Sequence, residues 1–265
     1  MSSARHQIDP IQYNTMKTMK NLTCLFNPVF SLLIITAVLS SSGCASFTED
    51  GDVSDPLESA NRAVYDFNEG FDRHILKPVA QGYQKLPSPV KTGTHNFFSN
   101  LNDFVVIFND GLQLKGEQMS SDVLRVSVNT VFGAFGLIDM ATPMGMPKHD
   151  ESFADTLGYW GVGSGAYIVL PLLGPSSVRD APSLVVDFFT NPVSLVSPTS
   201  ATLALAATHA VDTRATILKT TDLRDQLALD PYIFTRESYY QWRQNRIYDG
   251  EPPKVIIENF EDFEE

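Results

Sequence analysis

Residues 55–71 read DPLESANRAVYDFNEGF, and the prediction of the fold begins from this stretch. Asp55 is a typical N-cap, Pro56 suits the first position of a helix because its missing N–H costs nothing there, and Glu58 completes a capping box. Apolar residues then recur at steps of three and four, at Leu57, Ala60, Val64, Phe67 and Phe71. The pattern predicts a helix that buries one apolar stripe.

Similar patterns continue along most of the chain. Residues 97–108 give one wide apolar face, and residues 199–221 form an alanine-rich helical segment. Asp230-Pro231 repeats the helix-opening device before the last helix. Another helical stripe consists of Leu124, Val128, Val131, Phe132 and Phe135. The predicted fold class is therefore mainly α.

One segment interrupts the helical pattern. Residues 158–167 read GYWGVGSGAY, and the run IVLP follows at residues 168–171. Closely spaced glycines followed by β-branched residues are typical of a turn that leads into a strand. We therefore expect one glycine-rich loop or β-hairpin, with an aromatic tip.

The first 43 residues have the organisation of a secretory signal. Lysines precede an apolar run of eleven residues, Val29 to Leu39. This run is shorter than the ~20 apolar residues that a membrane-spanning helix needs. Translation from Met16 or Met19 would give a compact signal, which would make residues 1–15 dispensable.

Small residues stand directly before Cys44, in the sequence Ser-Ser-Gly-Cys. This resembles the lipobox of bacterial lipoproteins, in which a cysteine thiolate takes a diacylglycerol and becomes the new N-terminus. The sequence departs from that pattern at Ser41, where leucine is usual; an ordinary signal peptide cut nearby is the alternative. Residues 44–54 are predicted to be a lipidated tether, and several acyl chains would make such an anchor stable. Ala45, rather than Asp, resembles the signal for export to the outer membrane.

Composition argues against several classes of protein. The formal net charge is −12 over 265 residues, whereas nucleic-acid binding requires clustered Lys and Arg. Cys24 and Cys44 both lie in or beside the first apolar run, so a disulfide framework is excluded.

Two glycine-rich motifs of enzymes are incomplete in this chain. Ile168 stands where the last glycine of a phosphate-binding G-x-G-x-x-G begun at Gly163 would lie. Val162 stands where a nucleophile elbow centred on Ser164 requires glycine. The sequence therefore argues against nucleotide binding and against a serine hydrolase.

The carboxylates also lack a catalytic or metal-binding pattern. His149-Asp150-Glu151 with Asp155 is interpreted as a solvated loop, because neighbouring residues do not share a helical face. Asp139, and Asp180 beside Arg179, are interpreted as caps and ion pairs. We expect no covalent catalysis, no cofactor and no metal.

Four fragments in this order and spacing, together with the lipobox, resemble the MlaA (VacJ) lipoprotein family: DPLE with Asn61-Arg62 and Phe67-Asn68, Asn129-Thr130 with Gly133, Gly136 and Asp139, TLGYWGVGSGAYIVLPLLGPSSVRD from Thr156, and DPY with Arg236 and Tyr239. The similarity runs from Asp55 to about Tyr248. The sequence departs from the family pattern at residues 152–155, at Ala166 and at Trp242.

The resemblance implies a single ring-like helical domain at residues 55–248, lying in the membrane interface, followed by an acidic tail at residues 249–265. It implies a lipoprotein that faces the periplasm from the outer membrane, removes mislocalised phospholipid from the outer leaflet and so maintains lipid asymmetry. The implied partners are phospholipid, the outer membrane, a trimeric porin and a soluble periplasmic phospholipid carrier; no nucleic acid is expected. A structural lipoprotein that braces porins, or a periplasm-facing lipid hydrolase, would share the anchor and the apolar surfaces.

A lipid path is predicted where small and aromatic residues meet. In a helix, Gly133 and Gly136 would have no local reason to replace alanine, so their missing side chains are expected either to keep a lipid path open or to allow close helix packing. The candidate residues of that path are Gly133, Phe135, Gly136, Tyr159, Trp160, Gly161, Gly163, Gly165 and Tyr167.

The anchor prediction is tested by Cys44→Ser. A serine hydroxyl cannot replace the thiol in thioether formation, so we expect the variant to lose acylation and membrane retention while it still folds. Labelling with radioactive fatty acid measures this directly. Incorporation equal to that of the natural sequence would show that another residue carries the anchor.

Overall fold

The structure, a computed structural model, describes residues 55–253. Contacts divide the chain into two units, residues 1–43 and residues 44–265, and every described residue belongs to the second. The predicted signal peptide, the tether with Cys44, and the tail beyond residue 253 lie outside the described residues.

Helices make up most of the described residues, which confirms the mainly α prediction. The α-helices are α1 (Glu58–Phe71), α2 (Lys77–Gln84), α3 (Ser88–Gln113), α4 (Gly116–Val131), α5 (Phe153–Tyr159), α6 (Asp180–Thr190), α7 (Thr199–Thr216), α8 (Leu218–Leu227) and α9 (Pro231–Ile247). A π-helical turn, Asp72–Leu76, joins α1 to α2, and 3-10 turns lie at Thr142–Met144 and Pro192–Leu195. Among residues 55–253, no helix combines the length and the hydropathy that crossing a bilayer requires.

The predicted Asp-Pro cap is confirmed at α9 but not at α1, whose N-cap is Leu57 and has no side-chain cap. Asp230 Oδ1 accepts two backbone N–H groups in the first turn of α9, at 2.9 and 3.2 Å. Asp55 Oδ1 accepts the Leu57 N–H at 3.2 Å, just before α1 begins. The capping box at α1 is wrong, because the Glu58 carboxylate accepts from Arg62 Nε at 2.7 Å instead of returning to the N-cap.

The helices pack in neighbouring pairs. The longest helix, α3, packs against α4, and the turn between them passes through Leu114, which adopts a left-handed conformation with φ 60°. The α2 helix packs on α7, and α5 packs on α6. Two small apolar clusters support these contacts. One joins β1 to α9 through four residues, and the other joins α2 to α7 and α8 through Ala80, Ala215 and Leu218.

A single hairpin is found among the described residues, formed by β1 (Tyr167–Leu170) and β2 (Gly174–Ser177). The strands are antiparallel, with Tyr167 opposite Ser177. The hairpin is confirmed, but its predicted aromatic tip is wrong: α5 takes residues up to Tyr159, Gly161, Gly163 and Gly165 lie in the loop before β1, and the tip is Pro171-Leu172-Leu173.

Two asparagines of α1 bond the open edge of the hairpin. Asn61 Nδ2 donates to the Tyr167 carbonyl and Asn61 Oδ1 accepts the Val169 N–H, both at 2.9 Å. Asn68 does the same three residues further along the hairpin, for the Leu170 carbonyl and the Leu172 N–H, at 2.9 and 2.7 Å. Spaced seven residues apart on one helical face, the two amides replace a third strand.

The apolar stripes predicted at α1 and α4 are largely exposed, which corrects the prediction that they are buried, whereas Phe98, Val105 and Val106 of α3 are buried. Leu57, just before α1, is 45% exposed and Phe67 on α1 is 56% exposed, and Leu124 and Val131 are 58% and 71% exposed on α4. The largest side chains that are fully buried are mostly polar and include Asn109, Thr156, Asp103, Asp110, Asp122 and Asp155. A repeat of three and four shows that one face is apolar, but it does not show whether protein or another apolar medium covers that face.

Two predicted helices are shorter than expected. The α4 helix ends at Val131, so that Phe132 to Gly136 form a turn. The alanine-rich helix α7 ends at Thr216, and the separate helix α8 follows.

We predict that Asn61→Ala destabilises the domain by roughly 2–4 kcal/mol, because it leaves one buried carbonyl and one buried N–H of β1 without partners. The matched control is Asn245→Ala on α9, where the asparagine is exposed. Chemical denaturation in detergent measures both variants. Equal midpoints for the two would mean that water replaces the Asn61 amide without cost.

Candidate functional site

An apolar cavity of about 660 Å³ lies where α3, α6 and α7 meet the Pro192–Leu195 turn. Its volume falls within the range of roughly 300–1,000 Å³ that small-molecule sites occupy. Its walls consist mainly of aliphatic and aromatic side chains: Phe98, Val105, Leu173, Leu184, Val185, Phe188, Val193, Leu205 and Ala206. The cavity therefore offers an apolar ligand a place out of water.

The polar residues that line the cavity are few. They are Asn102, Asp187, Asn191 and His209. Two of them are hydrogen-bonded to backbone N–H groups: Asp187 Oδ1 accepts the Phe153 N–H at 2.9 Å, and Asn191 Oδ1 accepts the Val193 N–H at 3.0 Å. No lysine or arginine of residues 55–253 lines the cavity. This lining suits a hydrocarbon chain better than it suits a phosphate.

His209 lies on the α7 side of the cavity. Its ring is 4.7 Å from the ring of Phe98, centroid to centroid. Burial lowers the pKa of His209, although the negative charge of Asp212 opposes the shift. Asp212 itself accepts from the Tyr83 hydroxyl at 2.7 Å. At neutral pH the imidazole is therefore mainly uncharged, as an apolar cavity requires.

The cavity opens onto an apolar outer surface. Leu173, Val185 and Phe188 line it and are also 71%, 57% and 46% exposed. Beside them, Phe189 and Leu172 are 70% and 60% exposed. Apolar side chains of the cavity lining are therefore themselves part of the outer surface.

Three of the predicted lipid-path residues lie in the turn after α4, away from the cavity. Phe135 is 77% exposed. A Cβ added at Gly133 would stand 2.1 Å from the Ile138 carbonyl oxygen, and one added at Gly136, where φ is 86°, would stand 2.6 Å from Asn100 Cβ. The expectation that Gly133 and Gly136 have no local reason to replace alanine is wrong. Both lie in a tight turn with close packing, and these require glycine at the two positions.

The other six predicted residues lie around the loop before β1. Tyr159 and Trp160 are 52% and 53% exposed. Gly161, Gly163 and Gly165 follow them, whereas Tyr167 is fully buried among Tyr232, Tyr239 and Tyr240 at centroid distances of 5.9–6.1 Å. None of the nine residues lines the cavity. Their contact with lipid stays a prediction.

The segment that begins at His149 is not the solvated loop that its sequence predicts. Glu151 and Asp155 are only 4% and 1% exposed, because each meets a cation: Lys115 Nζ at 2.8 Å and Arg243 Nη1 at 2.7 Å. His149 contacts a different carboxylate, that of Asp122. Within residues 55–253, no group of three or more His, Cys, Asp or Glu side chains is arranged to hold a metal ion.

Asp139 and Asp180 form ion pairs, as predicted. Asp139 lies 2.9 Å from Arg125 Nη2, and Asp180 lies 2.6 Å from Arg179 Nε. Burial raises the pKa of Asp139, but hydrogen bonds from Thr142 and Arg125 outweigh it and bring the value to about 2. Both carboxylates are therefore ionised at neutral pH, and each is held in a structural ion pair.

The sequence pattern missed the residues that build the cavity. Leu184, Val185 and Phe188 follow helical spacing on α6, and Leu205 and Ala206 lie within the alanine-rich segment. Periodicity could have placed each group on a helical face. It could not have shown that α3, α6 and α7 converge, because these helices are far apart in sequence.

Comparison with known proteins gives one consistent family. The model of the family described as MlaA lipoprotein matches residues 53–246. The "Intermembrane phospholipid transport system lipoprotein MlaA" of Escherichia coli is 37% identical over 215 residues, covering 78% of this chain and 84% of that protein. The protein of the same name from Haemophilus influenzae is 35% identical over 228 residues, with 82% and 91% covered. An uncharacterised protein of Rickettsia felis is 32% identical over 195 residues, with 73% and 78% covered.

A solved structure is also similar. Its description reads "Structural basis for maintenance of bacterial outer membrane lipid asymmetry". It superposes with a TM-score of 0.66 at 31% identity, covering 75% of this chain and all of the solved chain.

The turn after α4 generates a test with an internal control. We predict that Gly136→Ala costs at least about 1–2 kcal/mol, because alanine is strained at a left-handed φ and its Cβ would meet Asn100. Gly82→Ala, in the interior of α2 with nothing within 4 Å of the added Cβ, is expected to be neutral or to stabilise by up to about 1 kcal/mol. Thermal melting and membrane abundance compare the two. A Gly136→Ala variant as stable as Gly82→Ala would show that the turn tolerates a side chain and would revive the open lipid path there.

Proposed function

The chain belongs to the MlaA lipoprotein family, and from that membership and the apolar cavity we propose that it is a lipoprotein of an intermembrane phospholipid transport system that maintains the lipid asymmetry of the outer membrane. In this proposal it carries phospholipid from the outer leaflet towards a periplasmic carrier and makes or breaks no covalent bond. The cavity receives the hydrocarbon part of the lipid.

The observation that carries the proposal is the continuity between the outer apolar surface and the cavity. A phospholipid that leaves a bilayer must keep its acyl chains out of water, since each exposed methylene costs about 0.8 kcal/mol. Leu173, Val185 and Phe188 belong both to the surface and to the lining of the cavity. A chain can therefore move from one to the other while it remains covered.

The outward-facing apolar side chains support a position in the membrane interface. A water-soluble monomer rarely exposes apolar patches larger than a few hundred Å². Here Phe67, Val131, Phe132, Phe135 and Phe189 are all more than half exposed. Amphipathic helices that lie in one leaflet cover such side chains with lipid and need no transmembrane span.

Further parts of the proposal come from the family resemblance and from the sequence. They are the anchor at Cys44, the outer membrane as location, a ring-like arrangement of the domain, a trimeric porin as partner and a soluble periplasmic phospholipid carrier. The lipid-path residues near Gly136 and Tyr159 belong to the same group.

Absence of catalysis is also proposed. The ionisable residues of the cavity are Asp187 and His209, and their surroundings do not match a nucleophile with its base. Asp187 Oδ1 is hydrogen-bonded to the backbone of Phe153. A hydrolase would require an activated nucleophile beside the ester bond of the lipid.

The transport proposal is tested by filling the cavity. Ala206 and Ala207 are neighbouring exposed residues of α7, but only Ala206 lines the cavity. We predict that Ala206→Phe lowers the amount of phospholipid that copurifies with the protein several-fold and lets phospholipid accumulate in the outer leaflet. Ala207→Phe is expected to behave as the natural sequence does. Mass spectrometry of bound lipid and labelling of outer-leaflet phospholipid provide the two measurements.

Several outcomes would contradict the proposal. If lipid binding and asymmetry are unchanged in Ala206→Phe at normal abundance, the cavity is not on the transport path. If deletion of the protein leaves asymmetry intact while porin levels fall, the chain is a structural lipoprotein. Release of free fatty acid from bound phospholipid above a denatured control would show that it is a hydrolase.

A further inference from the structure

Two carboxyl groups face each other inside the junction of α3 and α4. Asp110 lies on α3 and Asp122 on α4, and both side chains are completely buried. The two groups lie within hydrogen-bonding reach of each other, and Glu151 adds a third negative charge nearby. This cluster is separate from the cavity and plays no part in the proposed transport.

The pair lacks hydrogen-bond donors. Among the described residues, neither carboxylate oxygen of Asp110 has a hydrogen-bond partner, and Asp122 Oδ1 has none either. Asp122 Oδ2 contacts His149 Nδ1 at 2.9 Å. Three buried acceptor atoms without donors are costly, because each has given up its hydration.

The nearby cations are engaged with other carboxylates. Lys115 Nζ lies 2.8 Å from Glu151 and 2.6 Å from Asp249. Arg125 pairs with Asp139 at 2.9 Å and lies 3.4 Å from Asp103, which also pairs with Lys148. Asp155 of α5, which faces the same interior, pairs with Arg243. Among residues 55–253, no lysine or arginine forms an ion pair with Asp110 or Asp122, and the basic group in contact with the pair is His149.

We propose that Asp110 and Asp122 share one proton in the folded protein, and that this proton locks α3 to α4. The proton supplies the missing donor: an O–H of one carboxyl donates to an oxygen of the other, and one negative charge is removed from the buried pair. Two like charges in contact in a low-dielectric interior cannot both be ionised without a large cost. In agreement, burial, followed by the charges of Asp122 and Glu151, raises the pKa of Asp110 to about 7.

His149 gives the pair a route to solvent. Its side chain is 26% exposed and lines an open cavity of about 370 Å³ together with Gln118, Trp242 and Arg246. The same ring reaches Asp122 through Nδ1. Protons can therefore exchange between solvent and the buried pair without unfolding of the junction.

The sign of the pH dependence follows from the raised pKa. When α3 and α4 separate locally (the opened form), Asp110 has its ordinary pKa of about 3.9. Between about pH 4 and pH 7 the closed form, with the two helices packed, therefore binds the proton more tightly than the opened form does. The junction therefore loosens as the pH rises through this window, and the effect levels off above about pH 7. Acidification tightens the junction.

Hydrogen exchange of the full chain in detergent tests the proposal. After correction for intrinsic exchange rates, the opening equilibrium constant of the α3 and α4 amides is expected to rise by up to about tenfold per pH unit between about pH 5 and pH 7. Asp110→Asn places an amide donor where the proton would lie, so this dependence should largely disappear. Asp66→Asn, which removes an exposed carboxylate on α1, should keep it.

Infrared spectroscopy at about pH 6 gives a second readout that does not depend on any variant being fully stable. The natural sequence should show a protonated-carboxyl C=O band that both Asp110→Asn and Asp122→Asn remove. Such a loss supports the shared proton. A spectrum without a band that responds to either change, or an unchanged exchange profile in Asp110→Asn, would overturn it.

Discussion

Pairing of buried charges is the constraint on which the rest of this domain depends. Many apolar side chains of its helices face outward, so the interior cannot be stabilised by hydrocarbon packing alone. Arg243 of α9 lies 2.7 Å from Asp155 of α5 and 3.0 Å from Asp180 of α6, and Arg246 lies 2.7 Å from Asp155. Loss of one member of such a pair leaves an uncompensated buried charge, which costs about 3–5 kcal/mol. These ion pairs hold α5, α6 and α9 in fixed relation.

Polar side chains also make backbone hydrogen bonds that a further β-strand would otherwise make. A two-stranded hairpin is marginal by itself, because its outer edges present unpaired backbone groups. Asn61 and Asn68 satisfy one edge of β1 from the side of a helix. The hairpin tip thereby comes to lie beside α6, and Leu173 at that tip becomes part of the cavity wall. The same polar interactions that stabilise the fold therefore position the apolar surface that the proposed function uses.

This arrangement explains both the apolar outer surface and the polar interior of the domain. Outside, the apolar helical faces match a membrane leaflet; inside, carboxylates, amides and guanidinium groups satisfy one another. The cavity is the place where an apolar surface continues inward, between α3, α6 and α7. At the Asp110–Asp122 pair this internal pairing is incomplete, and a proton is the smallest group that can complete it.

The sequence by itself determined the helical class, the opening of α9 at Asp230, the existence of a hairpin and the family. These features depend on local chemistry: capping, periodicity and short motifs are written in neighbouring residues. Only the tertiary structure decided that Leu57, Phe67 and Val131 face outward, that Gly133 and Gly136 belong to a tight turn, that Glu151 and Asp155 are buried, and which residues line the cavity. Periodicity identifies an apolar face but not the medium that covers it. Contacts between helices far apart in sequence are likewise set by packing and charge pairing, which no local pattern contains.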